Sequence, residues 1–545
     1  MRLVLAIAVV LAATTAQAQQ RAFHVADYDL SLSLPDTGKR IEGVAKLTVV
    51  RVGPGDTLLL DLTEPRVSRV TQGETPSTFT QDAGHVRIPV GGARGDTIRI
   101  SVEYAGEVTD GLIIGTDNLG RWMAFGDNWP NRARHWIPSI DHPSDKSTVS
   151  WTVNAPSDRV VVANGRLLEE RPATRPARPS AGGGQSPAGT SRTITRWRES
   201  RPIPVYLMVV AAAPLVRVDL APAACGFAAL GTCVEQMVYV APEQRPGMPG
   251  EFARAGDMVE FFSRLVAPFP YEKLAHVQSS TRFGGMENAS AIFYADAPFR
   301  RGGTQSGTIA HETAHQWFGN AVTEREWAHV WLSEGFATYF EQLWKRHAFG
   351  DSAFKRELSE TRAEIIRASE VATRPVIDSQ QTDLLALLNT NSYQKGGWVL
   401  HMLNSLVGDS AFFRGIRDYW TAHKDGTALT DDLMAAVERR SGAKLGWFFD
   451  QWLRRPGYAS ITTDWRYDPQ QRRVVVELTQ GERFAPYRFP LDVSVTDADG
   501  TTRTVRVDVP AQHSASITLP LELGARPRAV VFDPDVDVLA EFRSR

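Results

Sequence analysis

The sequence predicts a multidomain α+β protein: an N-terminal antiparallel β domain, a mainly helical middle domain and a small C-terminal domain of β-sandwich-like character. Three observations carry that expectation. The chain has 545 residues, whereas single hydrophobic cores stop growing at roughly 250–300 residues. Apolar and polar residues alternate early in the chain and again after Gly457, the period of a half-buried strand. From about Glu251 the period lengthens towards 3.6, the signature of amphipathic helices.

Met1-Arg2, an apolar run over residues 3–13 and Ala16-Gln17-Ala18 have the three parts of a secretory signal. Cleavage after Ala18 is expected, giving an exported protein, periplasmic or secreted. The run is shorter than the ~20 residues that span a bilayer, and no later stretch is long and uncharged enough. No integral membrane segment is therefore expected once the signal is removed. The N-terminal β domain is assigned to residues 19–213, the catalytic candidate to 214–456 and the C-terminal β domain to 457–545.

In the first of these, Tyr28, Leu30, Leu32 and Leu34 alternate with polar residues, and Leu47, Val49 and residues 58–60 continue the pattern. Residues 148–153 and 159–162 read as further strands. The stretch 171–192, rich in Pro, Gly, Ser and Arg, has few apolar residues to bury and reads as a mobile surface loop inside the domain. Residues 205–213 read as its last buried strand, with a boundary near Pro214. Helices are expected over 307–318, 330–346, 352–369, 395–407 and, after the start signal Thr430-Asp431-Asp432, over 433–440. In the tail, 474–478, 491–495 and 505–509 read as strands, with a turn at Asp499-Gly500.

With 60 basic against 62 acidic residues, the formal net charge of −2 gives no basis for electrostatic capture of nucleic acid or an anionic membrane. Only Cys225 and Cys233 are present. In an exported protein a single disulfide closing a small loop is the natural reading, and two reduced buried thiols are the alternative.

His311-Glu312-Thr313-Ala314-His315 is the strongest chemical signal. On a helix, positions i and i+4 lie one above the other, about 6 Å apart, so both imidazoles can meet one ion. Glu312 sits on the flank, where it can reach a water beside the ion without displacing either histidine. Hydrolytic zinc sites use three protein ligands and keep one position open. Glu334, in Trp331-Leu332-Ser333-Glu334-Gly335, provides the third ligand at the start of a second helix; alone it would read as a carboxylate favoured by the helix dipole. Glu341, two turns on, can hydrogen-bond the free nitrogen of a ligand histidine, although an ordinary surface Glu would look the same.

With Gly284-Gly285-Met286-Glu287-Asn288 upstream, the histidine pair and the distant carboxylate resemble the M1 family of zinc aminopeptidases, whose catalytic domain is thermolysin-like. The resemblance is specific over residues 270–410 and looser earlier, where Pro138-Ser139-Ile140-Asp141-His142-Pro143 matches a family element. It implies one zinc ion, and peptide substrates with a free N-terminus whose α-amine is bound by Glu287. Gly284, Gly285, Met286 and Asn288 would line the substrate beside it. Tyr393, in Ser392-Tyr393-Gln394-Lys395-Gly396-Gly397, matches the family's transition-state tyrosine. In the register where relatives carry a second amine-binding Gln or Glu, this chain has Trp129; Asp127 is taken as the substitute, with a turn residue as its alternative. Many relatives end in a large helical domain over the active site, so an open cleft tolerant of longer peptides is expected unless a second subunit covers it.

The resulting expectation is a zinc-dependent aminopeptidase. A thermolysin-like endopeptidase would use the same ligands without needing the amine. An epoxide hydrolase of the leukotriene type and an inactive peptide-binding protein are further alternatives. Oligomeric state and the preferred first residue are not readable from the sequence.

Overall fold

The computed structural model describes residues 21–173, 191–226, 233–301 and 306–544. The expected signal segment 1–18 and most of the expected loop 171–192 lie outside the described residues. The flanks of that loop are strands, not loop: Arg166–Pro172 pairs antiparallel with Arg192–Pro204, with Arg171 opposite Ile194.

The N-terminal region is built on an eight-stranded sheet. Its first strand, Phe23–Ser33, buries Tyr28, Leu30 and Leu32 on one face, as period-two alternation requires. The sheet is antiparallel except at its centre, where Phe23–Ser33 runs parallel to Lys146–Pro156. A second sheet of four strands contains Leu112–Thr116, Trp122–Gly126, Val160–Ala163 and Val210–Ala213. Residues 205–213 are therefore not one strand. Val205–Leu207 forms a 3-10 turn, and only the last four residues join the sheet.

The middle region opens with a five-stranded sheet that the helical period did not announce: Val216–Asp219, Glu235–Val240, Lys273–Ser279, Ala291–Ala295 and Gly285–Met286, in that spatial order. Lys273–Ser279 is buried along its whole length, so it carries no alternation to read. Gly285–Met286 pairs antiparallel with Ala291–Ala295 and forms the sheet's outer edge. Against the sheet lie the helices Ser306–His315 and Trp331–Phe349, followed by Gly396–Val407. Phe318, just past the end of the first helix, stacks on Phe336 of the second with centroids 4.2 Å apart. Cys225 and Cys233 form a disulfide.

The C-terminal region consists of two sheets, one of four strands that includes Ala459–Asp468 and one of three with Phe489–Thr496 at its centre. It docks on the back of the middle region through Arg362 to Asp533 (2.6 Å), Ser405 to Asp537 (3.0 Å) and Arg506 to the Ser405 carbonyl (2.9 Å). The expected multidomain α+β architecture is thus the observed one.

Gly335 and Gly396 let two helices touch backbone to backbone. A Cβ on Gly335 would lie 2.8 Å from the Gly396 carbonyl carbon and 3.0 Å from its Cα. Neither atom belongs to a side chain that can turn away. Gly335→Ala is therefore expected to cost about 1–3 kcal/mol by overpacking and to lower the thermal midpoint by roughly 2–10 °C. Differential scanning calorimetry checks this, and an unchanged midpoint would contradict the close contact.

Candidate metal centre and substrate cleft

The helix Ser306–His315 places His311 and His315 one turn apart, and their Nε2 atoms face each other at 3.1 Å. Glu334, in the first turn of Trp331–Phe349, brings Oε2 to 3.4 Å from His311 Nε2 and 3.3 Å from His315 Nε2. The expected ligand trio is therefore assembled. Its three separations are close to the ~3.3 Å edge of a tetrahedron with metal–ligand distances of ~2.0–2.1 Å. Glu334 is buried, and Oε2 has no hydrogen-bond partner among the described residues. An orphaned carboxylate oxygen facing two imidazole nitrogens is the donor set of a divalent zinc ion, and the residues present fit one.

The far side of each imidazole is also held. His311 Nδ1 lies 3.4 Å from Glu341, which is itself tied to Lys345 at 2.9 Å. His315 Nδ1 lies 3.1 Å from the Phe318 carbonyl and 3.1 Å from Ser333 Oγ. These contacts leave Nε2 of both rings as the ligating atom. Glu341 thus sits where the sequence reading put it, whereas the part of Phe318 and Ser333 had no signal in the spacing. Gly319, at φ +103°, is needed there, because a Cβ would collide with Ser333 Oγ and press on His315.

Glu287, Glu312 and His315 also have ligand atoms within 4.8 Å of one another, so the anchor expected for an amine stands beside the trio. Its backbone carbonyl accepts from Gln316 Nε2 (3.0 Å) and Asn320 Nδ2 (2.6 Å), which fixes the strand end to the loop after the histidine helix. Lys146, from the N-terminal region, holds that loop in turn by donating to the carbonyls of Asn320 and Ala321, both at 2.8 Å.

The electrostatics separate the carboxylates. Burial pushes Glu312 up to about 7, against the downward pull of His311 and His315. Burial also acts on Glu334, but the charge of His315 and contacts with both imidazoles outweigh it and hold that group down at about 2. Glu287 is raised, chiefly by burial. Tyr393, stacked on His311 with centroids 6.0 Å apart, is raised well above an ordinary phenol by burial and by the charges of Glu334, Glu287 and Glu312. It is therefore a neutral O–H donor at pH 7.

These groups line a cleft of about 190 Å³ together with Trp129, Phe283, Gly284, Gly285, Met286 and Leu388. Gly284 has nothing within 4 Å of where a Cβ would stand. A Cβ on Gly285 would instead strike the Glu312 carboxylate, so this glycine makes room for the acid as well as for a substrate. A larger cavity of about 460 Å³, near Arg121 and Arg300, has its charges paired and lacks the metal-ligating set.

Two expected substrate contacts are not brought to the cleft. Asn288 is fully buried, and its backbone carbonyl instead accepts from Ala291 N at 3.0 Å. Asp127 is also fully buried, neutralised by Arg132 (3.0 Å) and Arg282 (3.1 Å) and bonded by Thr281 Oγ1 (3.2 Å). Paired with two guanidinium groups and enclosed, it does not line the cleft. It clamps the loop that leads into Gly285–Met286, and Trp129, two residues on, is the residue that lines the cleft.

A histidine-pair helix, a carboxylate from the next helix and an open sheet edge beside them define a site of the zinc-hydrolase type. The profile of the Peptidase family M1 domain matches residues 252–452, and that of the Peptidase M1 N-terminal domain matches residues 24–207. The chain belongs to peptidase family M1. Among relatives, it is 25% identical over 379 residues to Aminopeptidase M1 of Arabidopsis thaliana, covering 66% of this chain and 40% of that protein. It is 24% identical over 525 residues to glutamyl aminopeptidase of Mus musculus, covering 88% and 52%. The chain spans about half the length of the curated relatives it matches. Among solved structures, an M1 zinc metallopeptidase from Deinococcus radiodurans superposes with a TM-score of 0.68 at 25% identity, over 80% of this chain and 94% of that one. Legionella pneumophila aminopeptidase A shares the fold, with a TM-score of 0.80 at 16% identity over 97% and 60%.

Glu341→Gln removes the charge that holds His311 Nδ1–H. Zinc affinity is expected to fall about 10–100-fold, read by competition with a chromogenic chelator; wild-type affinity would show that Glu341 does not support the ligand.

Proposed function

We propose that this protein is an exported aminopeptidase that binds one zinc ion and removes the N-terminal residue from peptides. The observation that carries the reading is Glu287, a buried carboxylate next to the His311, His315 and Glu334 trio at the end of an open sheet edge. Export is supported by the signal pattern in residues 1–18 and by the Cys225–Cys233 disulfide.

When held by His311, His315 and Glu334, zinc supplies the Lewis acidity that polarises a carbonyl and lowers the pKa of water towards ~7. Glu287 pairs with the substrate's ammonium group, which sets the first peptide bond against the trio. An internal peptide segment would bury that carboxylate with no cationic partner, and this is the basis of selection for a free N-terminus. The unpaired backbone of Gly285–Met286 receives the substrate chain as an added strand. Glu312 takes the proton of the attacking water and returns it to the departing amine, a task for which its carboxylate is placed beside His315 and Glu287. The Tyr393 phenol donates to the carbonyl oxygen as it gains negative charge.

The test compares a free pentapeptide with its N-acetylated form on zinc-loaded protein, with Glu312→Gln alongside. The acetylated peptide is expected to resist cleavage. The variant is expected to keep its zinc by mass spectrometry yet lose at least about a hundredfold in kcat. Equal cleavage of both peptides would mark an endopeptidase, and an active variant would remove Glu312 as the base.

A further inference from the structure

We infer that the cleft selects peptides whose first residue is neutral and apolar, and that Trp129 and Leu388 set this preference. The inference rests on the aminopeptidase reading and names the substrate class of the same site. Once the groups that hold the metal, the amine, the proton and the substrate backbone are set aside, the side chains left in the cleft lining are Trp129, Phe283, Met286 and Leu388. All four are uncharged and apolar. Trp129 is held firmly: it packs edge-on against Phe283 with centroids 6.1 Å apart and against Trp327 at 5.4 Å. The cleft therefore presents a firmly held indole to the substrate.

The charges near this wall exclude both ionic alternatives. An acidic first residue would meet Glu287, Glu312 and Glu334, and no Lys or Arg stands among the residues that line the cleft. The guanidinium groups closest in sequence to the wall are committed, Arg132 to Asp127 and Arg282 to both Asp127 and Asp110 (2.8 Å). A basic first residue finds no carboxylate in the cleft lining beyond those three. Glu287 is taken by the α-ammonium, Glu334 by the imidazoles and Glu312 by the proton transfer, so the side-chain charge would be desolvated against apolar surface. A leucine, methionine or phenylalanine side chain instead covers Trp129 and Leu388 and gains the favourable burial of apolar area.

The experiment uses the zinc-loaded full chain and a panel of fluorogenic aminoacyl amides: Leu, Met and Phe against Glu and Asp and against Lys and Arg. The expected kcat/KM for the apolar group exceeds that for the acidic group by at least about a hundredfold and that for the basic group by at least about tenfold. Charged amides cleaved as well as the apolar ones overturn the inference and leave the aminopeptidase reading standing. Failure to cleave any free aminoacyl amide overturns both. Trp129→Glu is expected to move the Lys-to-Leu ratio at least about tenfold towards Lys, with zinc content and thermal midpoint measured in parallel. Leu388→Lys, at a half-buried position that tolerates a charge, is expected to raise the Glu-to-Leu ratio by a similar factor. If both variants fold and neither ratio moves, the assignment to Trp129 and Leu388 is overturned.

Discussion

The approach of Glu334 to His311 and His315 is the contact on which the rest of the structure depends. A buried carboxylate with an unsatisfied oxygen is costly unless a cation or a strong donor meets it. Here the cost falls where two helices, separated by a loop, must be held in register to a fraction of an ångström. The Phe318–Phe336 stack and the hydrogen bonds behind each imidazole constrain that register, and backbone contact at Gly335 and Gly396 seats the Glu334 helix on Gly396–Val407. The site is thus the place where packing, hydrogen bonding and charge are required to agree.

The flanking regions act on the same register from outside. Lys146 reaches from the N-terminal sheet to the carbonyls of the loop after the histidine helix, and Asn320 in that loop holds Glu287. Asp127 reaches across to Thr281 and Arg282, just before the edge strand. From the other side, the C-terminal sheets grip Ser405 and His401 on the helix that follows Tyr393. The elements around the cleft are therefore tied to both flanking regions.

The wall facing the first residue of a substrate follows from the same framework. Because Asp127 spends its charge on Arg132 and Arg282, those guanidinium groups are unavailable to a ligand, and the cleft is left with carboxylates and aromatic surface. Trp129 and Glu287 line the same cleft, an apolar wall beside a buried carboxylate.

By itself the sequence determined the elements whose chemistry is local. The histidine pair is legible because a helix brings positions four apart together whatever surrounds it, and the alternation of Tyr28, Leu30 and Leu32 is legible because a strand has two faces. Glu334 and Glu341 were readable once the pair was found, since both continue one helix. The fate of Asp127, the withdrawal of Asn288, the buried strand Lys273–Ser279 and the hold of Lys146 on a distant loop were decided only by the tertiary structure. A strand buried on both faces has no period to detect, and whether a carboxylate meets a guanidinium or a substrate depends on residues such as Arg282, 155 positions away in the chain, which nothing in local spacing connects.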